Sequence, residues 1–281
     1  MQDPDTKNVY QLDTRQVQRA FTRAASDYDA AAVLQREVRN RLLERLEIVK
    51  LQPQRILDVG CGTGGAFPGL QQRWPKAKII GLDLAFSMLQ QARDKRSWFD
   101  RLRRPSNLVC ANSAQLPFAK SSVDCIFSSL MLQWCDDLDQ VLREFRRIIK
   151  PNGLFIFASF GPDTLKELRA AWAAVDQATH VNQFIDMHDV GDALIRAGFD
   201  QPVLDVDPFT LTYPTARHLM RDLKQIGAHN VNAGRARGLT GKARIAAVEE
   251  AYAAFRDKNG QLPATYEVVY GTAWAHEFEM K

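Results

Sequence analysis

The sequence predicts the α/β class: an open, mainly parallel sheet with helices on both faces. Three observations predict it. Short apolar segments alternate with amphipathic ones from residue 55 to residue 160, an order that calls for parallel strands joined by right-handed crossovers. The strand segments are apolar throughout, as in Cys125-Ile126-Phe127, which fits a sheet covered on both faces. Glycines cluster directly after the first strand, in Gly60-Cys61-Gly62-Thr63-Gly64-Gly65.

Each element follows from its pattern. Residues 1–14 read as a polar tail, and 15–281 as one domain with a cofactor half over about 50–160. From Gln16 to Lys50 the spacing is helical, with Leu34, Val38, Leu42, Leu43 and Leu46 on one face. Pro53 ends that helix. Arg55–Val59 is the first strand, followed by a short helix carrying Phe67, Leu70 and Trp74, with Pro68 in its first turn. Strands are expected at Ala77–Leu82, Leu108–Ala111, Val123–Ser128 and Leu154–Ser159, and helices at Ala85–Lys95 and Asp137–Ile149. Pro151-Asn152-Gly153 reads as a turn before the fifth strand. Later helices are expected at Asp163–Gln177, N-capped by Asp163, and at Val190–Ala197, Thr215–Ile226 and Lys242–Arg256. Strands are expected at Val203–Leu211 and Thr265–Trp274. The region of about 162–275 is read as a helical lid plus the last strands.

Composition narrows the function classes. The 281 residues are 46% hydrophobic, enough for a core, so the chain is not disordered. No apolar run reaches the length of a membrane span, and the polar beginning lacks a signal peptide's apolar stretch. Cys61, Cys110, Cys125 and Cys135 form no C-x-x-C pair, and no His cluster has metal-ligand spacing. Reduced thiols, no metal and a cytoplasmic setting are therefore expected. The net charge of +4 does not argue for nucleic acid.

A strand, a glycine loop and a helix make a nucleotide-binding arrangement: glycines permit close approach, and the helix N-terminus offers N–H donors. The spacing admits two readings. Gly60, Gly62 and Gly65 match the dinucleotide pattern; Gly60, Gly62 and Gly64 match G-x-G-x-G. Asp83, ending the second strand, suits ribose hydroxyls in either, so a nicotinamide dehydrogenase stays an alternative at this point.

The flanking residues favour one. Ile56-Leu57-Asp58-Val59-Gly60-Cys61-Gly62-Thr63-Gly64 resembles the first motif of class I methyltransferases that use S-adenosylmethionine. Gly81-Leu82-Asp83-Leu84 with Met88-Leu89 resembles the second. Asn112-Ser113-Ala114-Gln115-Leu116-Pro117-Phe118, Val123-Asp124-Cys125-Ile126 and Ile149-Lys150-Pro151-Asn152-Gly153-Leu154 follow in the family's order. The resemblance implies a Rossmann-like seven-stranded sheet with a final antiparallel strand. It implies S-adenosylmethionine held by Asp58, Gly60, Cys61, Gly62, Gly64, Asp83, Leu84, Met88, Asn112, Ser113 and Ser128. Asn112 stands where the family has Asp, and Ala85 where a capping Ser is common.

Outside the cofactor half, Phe21-Thr22-Arg23-Ala24-Ala25-Ser26-Asp27-Tyr28-Asp29, Leu132-Gln133-Trp134-Cys135, Phe160-Gly161-Pro162-Asp163-Thr164-Leu165 and Leu262-Pro263-Ala264-Thr265-Tyr266 resemble the malonyl-acyl-carrier-protein O-methyltransferases of biotin synthesis. That resemblance implies a carrier-bound malonyl carboxylate, or malonyl coenzyme A, as acceptor. Such a carboxylate is ionised at neutral pH, so no acid or base is nominated. Tyr28, Gln35, Gln133 and Trp134 are candidates to face the cofactor or substrate, and Arg169, Arg217, Arg221 and Lys224 to orient the carboxylate. His180, His188, His218 and His229 read as structural or solvent-facing. Two alternatives remain: methylation of a quinone or other small molecule, and a protein like the respiratory complex I assembly factors, which are linked to arginine hydroxylation.

The charge is segregated. Residues 93–104 carry six basic and two acidic residues, 143–150 four and one, and 217–244 seven and one. These segments are expected to form a basic face that steers an acidic carrier.

Overall fold

A computed structural model describes residues 12–95, 107–228, 230 and 241–276. The strands are β1 (Arg55–Val59), β2 (Lys78–Asp83), β3 (Asn107–Cys110), β4 (Val123–Ser129), β5 (Ile149–Phe160), β6 (Asp200–Tyr213) and β7 (Leu262–Trp274). They form one seven-stranded sheet in the order β3-β2-β1-β4-β5-β7-β6. β1 to β5 run parallel, and β7 lies antiparallel between β5 and β6. The mixed architecture is as expected: β1 has the expected bounds, and the other strands shift by at most three residues except at the start of β5.

Continuous apolar strands produce two cores because alternate residues face opposite sides. Ile56, Phe127, Leu154 and Ile156 point to one face. Leu57, Ile126, Phe155 and Phe157 point to the other. The first face is covered by α3 (Val33–Glu44), α4 (Phe67–Arg73), α7 (Lys166–Ala173), α9 (Ala216–Gln225) and α10 (Lys242–Ala253). The second is covered by α6 (Leu138–Ile148), through Val141, Leu142, Phe145 and Ile148, and by α8 (Met187–Arg196), through Val190, Ala193 and Leu194. Asp137, Asp186 and Thr215 cap α6, α8 and α9 by accepting backbone N–H bonds. α5 (Phe86–Asp94) completes the crossover from β2 to β3.

Four expectations are corrected. The single helix over 16–50 is instead α1 (Thr14–Ala24), α2 (Tyr28–Ala31), α3 and a 3₁₀ turn over Arg45–Ile48. α1 already begins at Thr14, with Asp13 accepting from the N–H groups of Arg15 and Gln16. The break between α1 and α3 turns Asp29 onto the glycine loop, where it accepts from Thr63 Oγ1 at 2.6 Å and pairs with Lys95. Periodicity shows which face is apolar, not where tertiary bonds bend the axis. Pro151-Asn152-Gly153 is a kink within β5, not a turn before it. Asn152 is left-handed at φ +60°, and its N–H donates to the Ala275 carbonyl at 2.9 Å. Asp163 does not cap a helix. Its N–H donates to Glu267 Oε2 at 2.7 Å and its carboxylate pairs with Lys166, so α7 starts three residues later, after left-handed Leu165. Finally, α7 ends at Ala173 and α10 at Ala253, both short of the expected helices.

Candidate active site

Parallel β1, β2, β4 and β5 all present their carboxyl ends at one edge of the sheet, the usual ligand position in such folds. Three neighbouring cavities lie there. One of about 300 Å³ is lined by Gly60, Gly62, Asp83, Leu84, Met88, Asn112 and Ser113. A second, of about 280 Å³, is lined by Asp58, Cys61 and Thr63, and shares Tyr28, Gly60, Gly62 and Ser129 with the first. A third, of about 680 Å³, lies among Phe160, Leu165, Leu168, Trp172, His180, Arg221 and Lys224. Trp134 borders the first and third, and Gln35 the second and third. Three of the four aromatic and amide candidates thus stand where the cavities meet.

The glycine loop is held from below. Gly60 and Cys61 N–H donate to the Leu82 carbonyl, at 2.8 and 3.0 Å. Gly62 N–H donates to Asp83 Oδ2 at 2.9 Å, and Ala85 N–H to Oδ1 at 2.8 Å. Burial raises the Asp83 carboxyl, and the N–H donors of Ala85, Gly62 and Leu84 pull it back. Asp58 has no such donors. It is 2% exposed, its Oδ2 lacks a partner, and burial next to Asp83 pushes its carboxyl up to about 8. Two buried carboxyls on adjacent strands thus differ in their partners: Asp83 is held by N–H donors, and Asp58 Oδ2 has none.

The glycines divide the work. At Gly60 (φ +73°) an added Cβ would strike Met131, and at Gly64 (φ +77°) it would strike the Phe67 ring. Gly64 lines none of the cavities and serves the fit of α4. At Gly62 (φ +52°) an added Cβ meets nothing within 4 Å, so a larger side chain would fill ligand space. Gly62→Val is expected to fold, at a cost of about 1–3 kcal/mol for the left-handed backbone, and to weaken cofactor binding at least tenfold. Titration calorimetry checks this, and unchanged affinity would remove the loop from the site.

An N-terminal roof closes the 300 Å³ cavity. Thr14, Val17, Phe21 and Tyr28 line it, and the Phe21 ring meets Trp134 edge-on at 5.3 Å. Ala85, fully buried, packs with Ala24, Ala25 and Met88. The residue that forgoes a capping hydroxyl thus lets α1 approach α5, while Asp83 supplies the acceptor. Asn112 accepts from the Ala114 N–H at 2.9 Å, a turn that the carboxamide holds without charge.

Several sequence candidates fall elsewhere. Ser128 is fully buried and donates to the Val59 carbonyl; strand alternation puts Ser129 at the cavities instead. Gln133 is tied to the Leu130 carbonyl at 2.7 Å and lines none of the three cavities. Arg169 donates to the carbonyls of Pro162 and Thr164, and Arg217 pairs with Glu249, so neither faces the large cavity. Arg221 and Lys224 do, joined by Arg23 from α1, which pattern reading missed because a lone exposed arginine carries no signal. His180 also lines that cavity, stacked on Trp172 at 3.6 Å and bonded to Asp176 at 2.7 Å. His188 and His218 bond Asp186 and Thr215 on the surface, as expected; His229 lies outside the described residues.

The expected basic face is only partly assembled. Residues 143–150 run from the end of α6 into the first residues of β5 and so lie at the opposite edge of the sheet. There Arg146 donates to the Gly198 carbonyl, Arg147 pairs with Glu144 and Lys150 with Asp124. Most of 93–104, and residues 231–240, lie outside the described residues. No group of three His, Cys, Asp or Glu is placed to hold a metal among the described residues, and no helix there is long and apolar enough to cross a membrane.

Known proteins match this arrangement. Residues 57–157 match the methyltransferase domain family. A malonyl-acyl-carrier-protein O-methyltransferase of Methylovorus sp. (strain MP688) is 52% identical over 273 residues, 96% of this chain and 91% of that protein. One of Laribacter hongkongensis is 54% identical over 270 residues, 95% of this chain and 91% of that protein. Among solved structures, the YcgJ protein of Bacillus subtilis superposes with a TM-score of 0.59 at 16% identity, over 85% of this chain and 99% of that one. The last is a likeness of fold; the first two, running through the N-terminal roof as well as the glycine loop, place this chain in the malonyl-acyl-carrier-protein O-methyltransferase family, and it is a methyltransferase.

Proposed function

We propose that the protein methylates the free carboxylate of a malonyl thioester on acyl carrier protein, with S-adenosylmethionine as donor. The observation that carries this reading is the joined set of cavities. Two small ones, with glycines, Asp83 and an unpartnered Asp58, suit an adenosyl group and a charged tail. A large one, apolar within and bordered by Arg23, Arg221 and Lys224, suits a long acyl thioester arm.

The residues fit that donor. Asp83 would accept from ribose hydroxyls, since a carboxylate keeps lone-pair capacity beyond that its N–H donors occupy. Leu84, Met88, Asn112 and Ser113 would border the base. When bound, the donor supplies an electrophilic methyl group. The protein's part is to orient and to exclude water. The acceptor carboxylate is ionised near neutral pH, so no proton must be removed. Tyr28, Gln35 and Trp134 close the junction, and catalysis rests on alignment and on replacing water around the carboxylate. A cytoplasmic setting fits the four free cysteines.

The test is mass spectrometry of malonyl-acyl carrier protein after incubation with enzyme and S-adenosylmethionine. A gain of one methyl on the carrier is expected, with malonyl coenzyme A and a quinone precursor as competing acceptors. No gain, with donor binding intact, overturns the reading.

A further inference from the structure

The wall of the 680 Å³ cavity carries a histidine to which the reading above gives no task. His180 lies flat on the Trp172 ring, with centroids 3.6 Å apart and planes 11° apart, and Trp172 is itself only 6% exposed. Nε2 of His180 is 2.7 Å from Asp176 Oδ1. Burial raises the Asp176 carboxyl, and the bonds from His180 and from the Ala178 N–H bring it below the ordinary carboxylate range. An ionised carboxylate can only accept, so Nε2 carries the proton. The other ring nitrogen, Nδ1, has no hydrogen-bond partner among the described residues. The ring is thus fixed on one face and one edge, with a single polar atom to spare.

The other cations of that cavity differ in kind. Arg23, Arg221 and Lys224 border it but are exposed. Long hydrated side chains hold an acceptor loosely, because ordering them costs entropy and water screens their charge. The His180 side chain is 14% exposed. The Asp176 carboxylate and the face of Trp172 both favour a charged ring. Arg244, 3.8 Å from Asp176, and the three rim cations oppose it, while Asp27, also on the cavity, supports it. A carboxylate arriving at Nδ1 adds the anion that tips this balance.

We propose that His180 receives the acceptor's carboxylate, donating from Nδ1 as an imidazolium while Asp176 holds Nε2. This rests on the acceptor reading above and goes further by naming the orienting group, a clamped histidine rather than a rim cation. A neutral His180 takes up one proton as the carboxylate binds. Methylation turns that carboxylate into an uncharged ester. The imidazolium then loses its counter-charge, gives the proton back to solvent and holds the product less tightly than the substrate.

The test is steady-state methylation of malonyl-acyl carrier protein by the full chain at saturating S-adenosylmethionine, from pH 6 to pH 9. His180→Gln is expected to lower kcat/KM at least tenfold at pH 6 and by much less at pH 9, where imidazole is ordinarily neutral. Asp176→Asn, which keeps the ring but removes its counter-charge, should move the pH-dependent fall to lower pH. Acetyl-acyl carrier protein, which lacks the carboxylate, should inhibit the unaltered protein and the glutamine variant equally. Unchanged calorimetric binding of S-adenosylmethionine shows that each variant is folded. If His180→Gln leaves kcat/KM unchanged, lowers it equally at every pH, or weakens acetyl-carrier inhibition as much, His180 is only part of the wall and the proposal is overturned. If the unaltered protein binds the donor but methylates no malonyl carrier, the acceptor reading itself fails, and this assignment with it.

Discussion

Asp83→Ala should all but abolish cofactor binding and also lower stability. The carboxylate is 9% exposed and accepts from the N–H groups of Gly62 and Ala85. Alanine leaves both donors without a partner, and each buried unsatisfied group costs about 1–3 kcal/mol. The loop would lose its anchor and the ribose its acceptor. Removing charge-assisted bonds of about 1.5–3 kcal/mol each from a bound ribose predicts an affinity loss on the order of a hundredfold or more. Calorimetry measures the affinity and urea denaturation the stability. Asp83→Asn, which keeps one carbonyl acceptor, should be intermediate in both. Unchanged affinity in both variants would remove the ribose assignment.

Asp58→Asn should move the two properties in opposite directions: a more stable unliganded protein and weaker cofactor binding. The sign follows from the raised pKa. Folded Asp58 titrates at about 8, against 3.8 for the ordinary group, because burial and then the nearby Asp83 charge oppose ionisation, while Arg39 only partly offsets them. A folded pKa above the unfolded one contributes stability fully at pH below about 4 and loses it as pH rises toward 8. At 1.36 kcal/mol per pKa unit, the loss at neutral pH is on the order of a few kcal/mol. The asparagine variant lacks that slope, so the gap between the two proteins should widen from pH 5 to pH 8 in thermal melts. A cationic ligand group would bind the ionised carboxylate, so binding near pH 7 should release a proton. The charged and titratable neighbours in this reading are Asp83, Arg39 and Cys61. Calorimetry in buffers of different ionisation enthalpy reads the proton. Loss of stability in the asparagine variant, or no proton release, would show that Asp58 is satisfied in the unliganded protein.

Such opposition between stability and binding is common at functional sites, and it marks this one from a different side than motif matching does. Leu130, left-handed at φ +54° just after β4, lines the 300 Å³ cavity with Trp134, and strained backbone of this kind clusters at functional sites.

The placement of Asp83 and Gly62 is legible because it depends on local order: a strand end, a tight loop, a left-handed backbone. Ser128 and Gln133 fall away from the cavities, since pattern alone does not say which of two adjacent serines lines them or which carbonyl an amide will find. Arg169 and Arg217 looked equal to Arg221 and Lys224 in the sequence. Only their partners, two carbonyls and Glu249, separate them. The basic run at 143–150 was visible as charge, but its place at the far edge of the sheet depends on topology.

The sequence by itself determined the strand-and-helix order, the buried character of the sheet and the glycine loop with its carboxylate, because these are set by neighbours within a few residues. The tertiary structure alone decided where the N-terminal helices break, why Ala85 is small, which cations face the large cavity, and that His180 is clamped there between Trp172 and Asp176. Those depend on contacts between segments tens of residues apart, and on which buried groups the fold leaves without a partner.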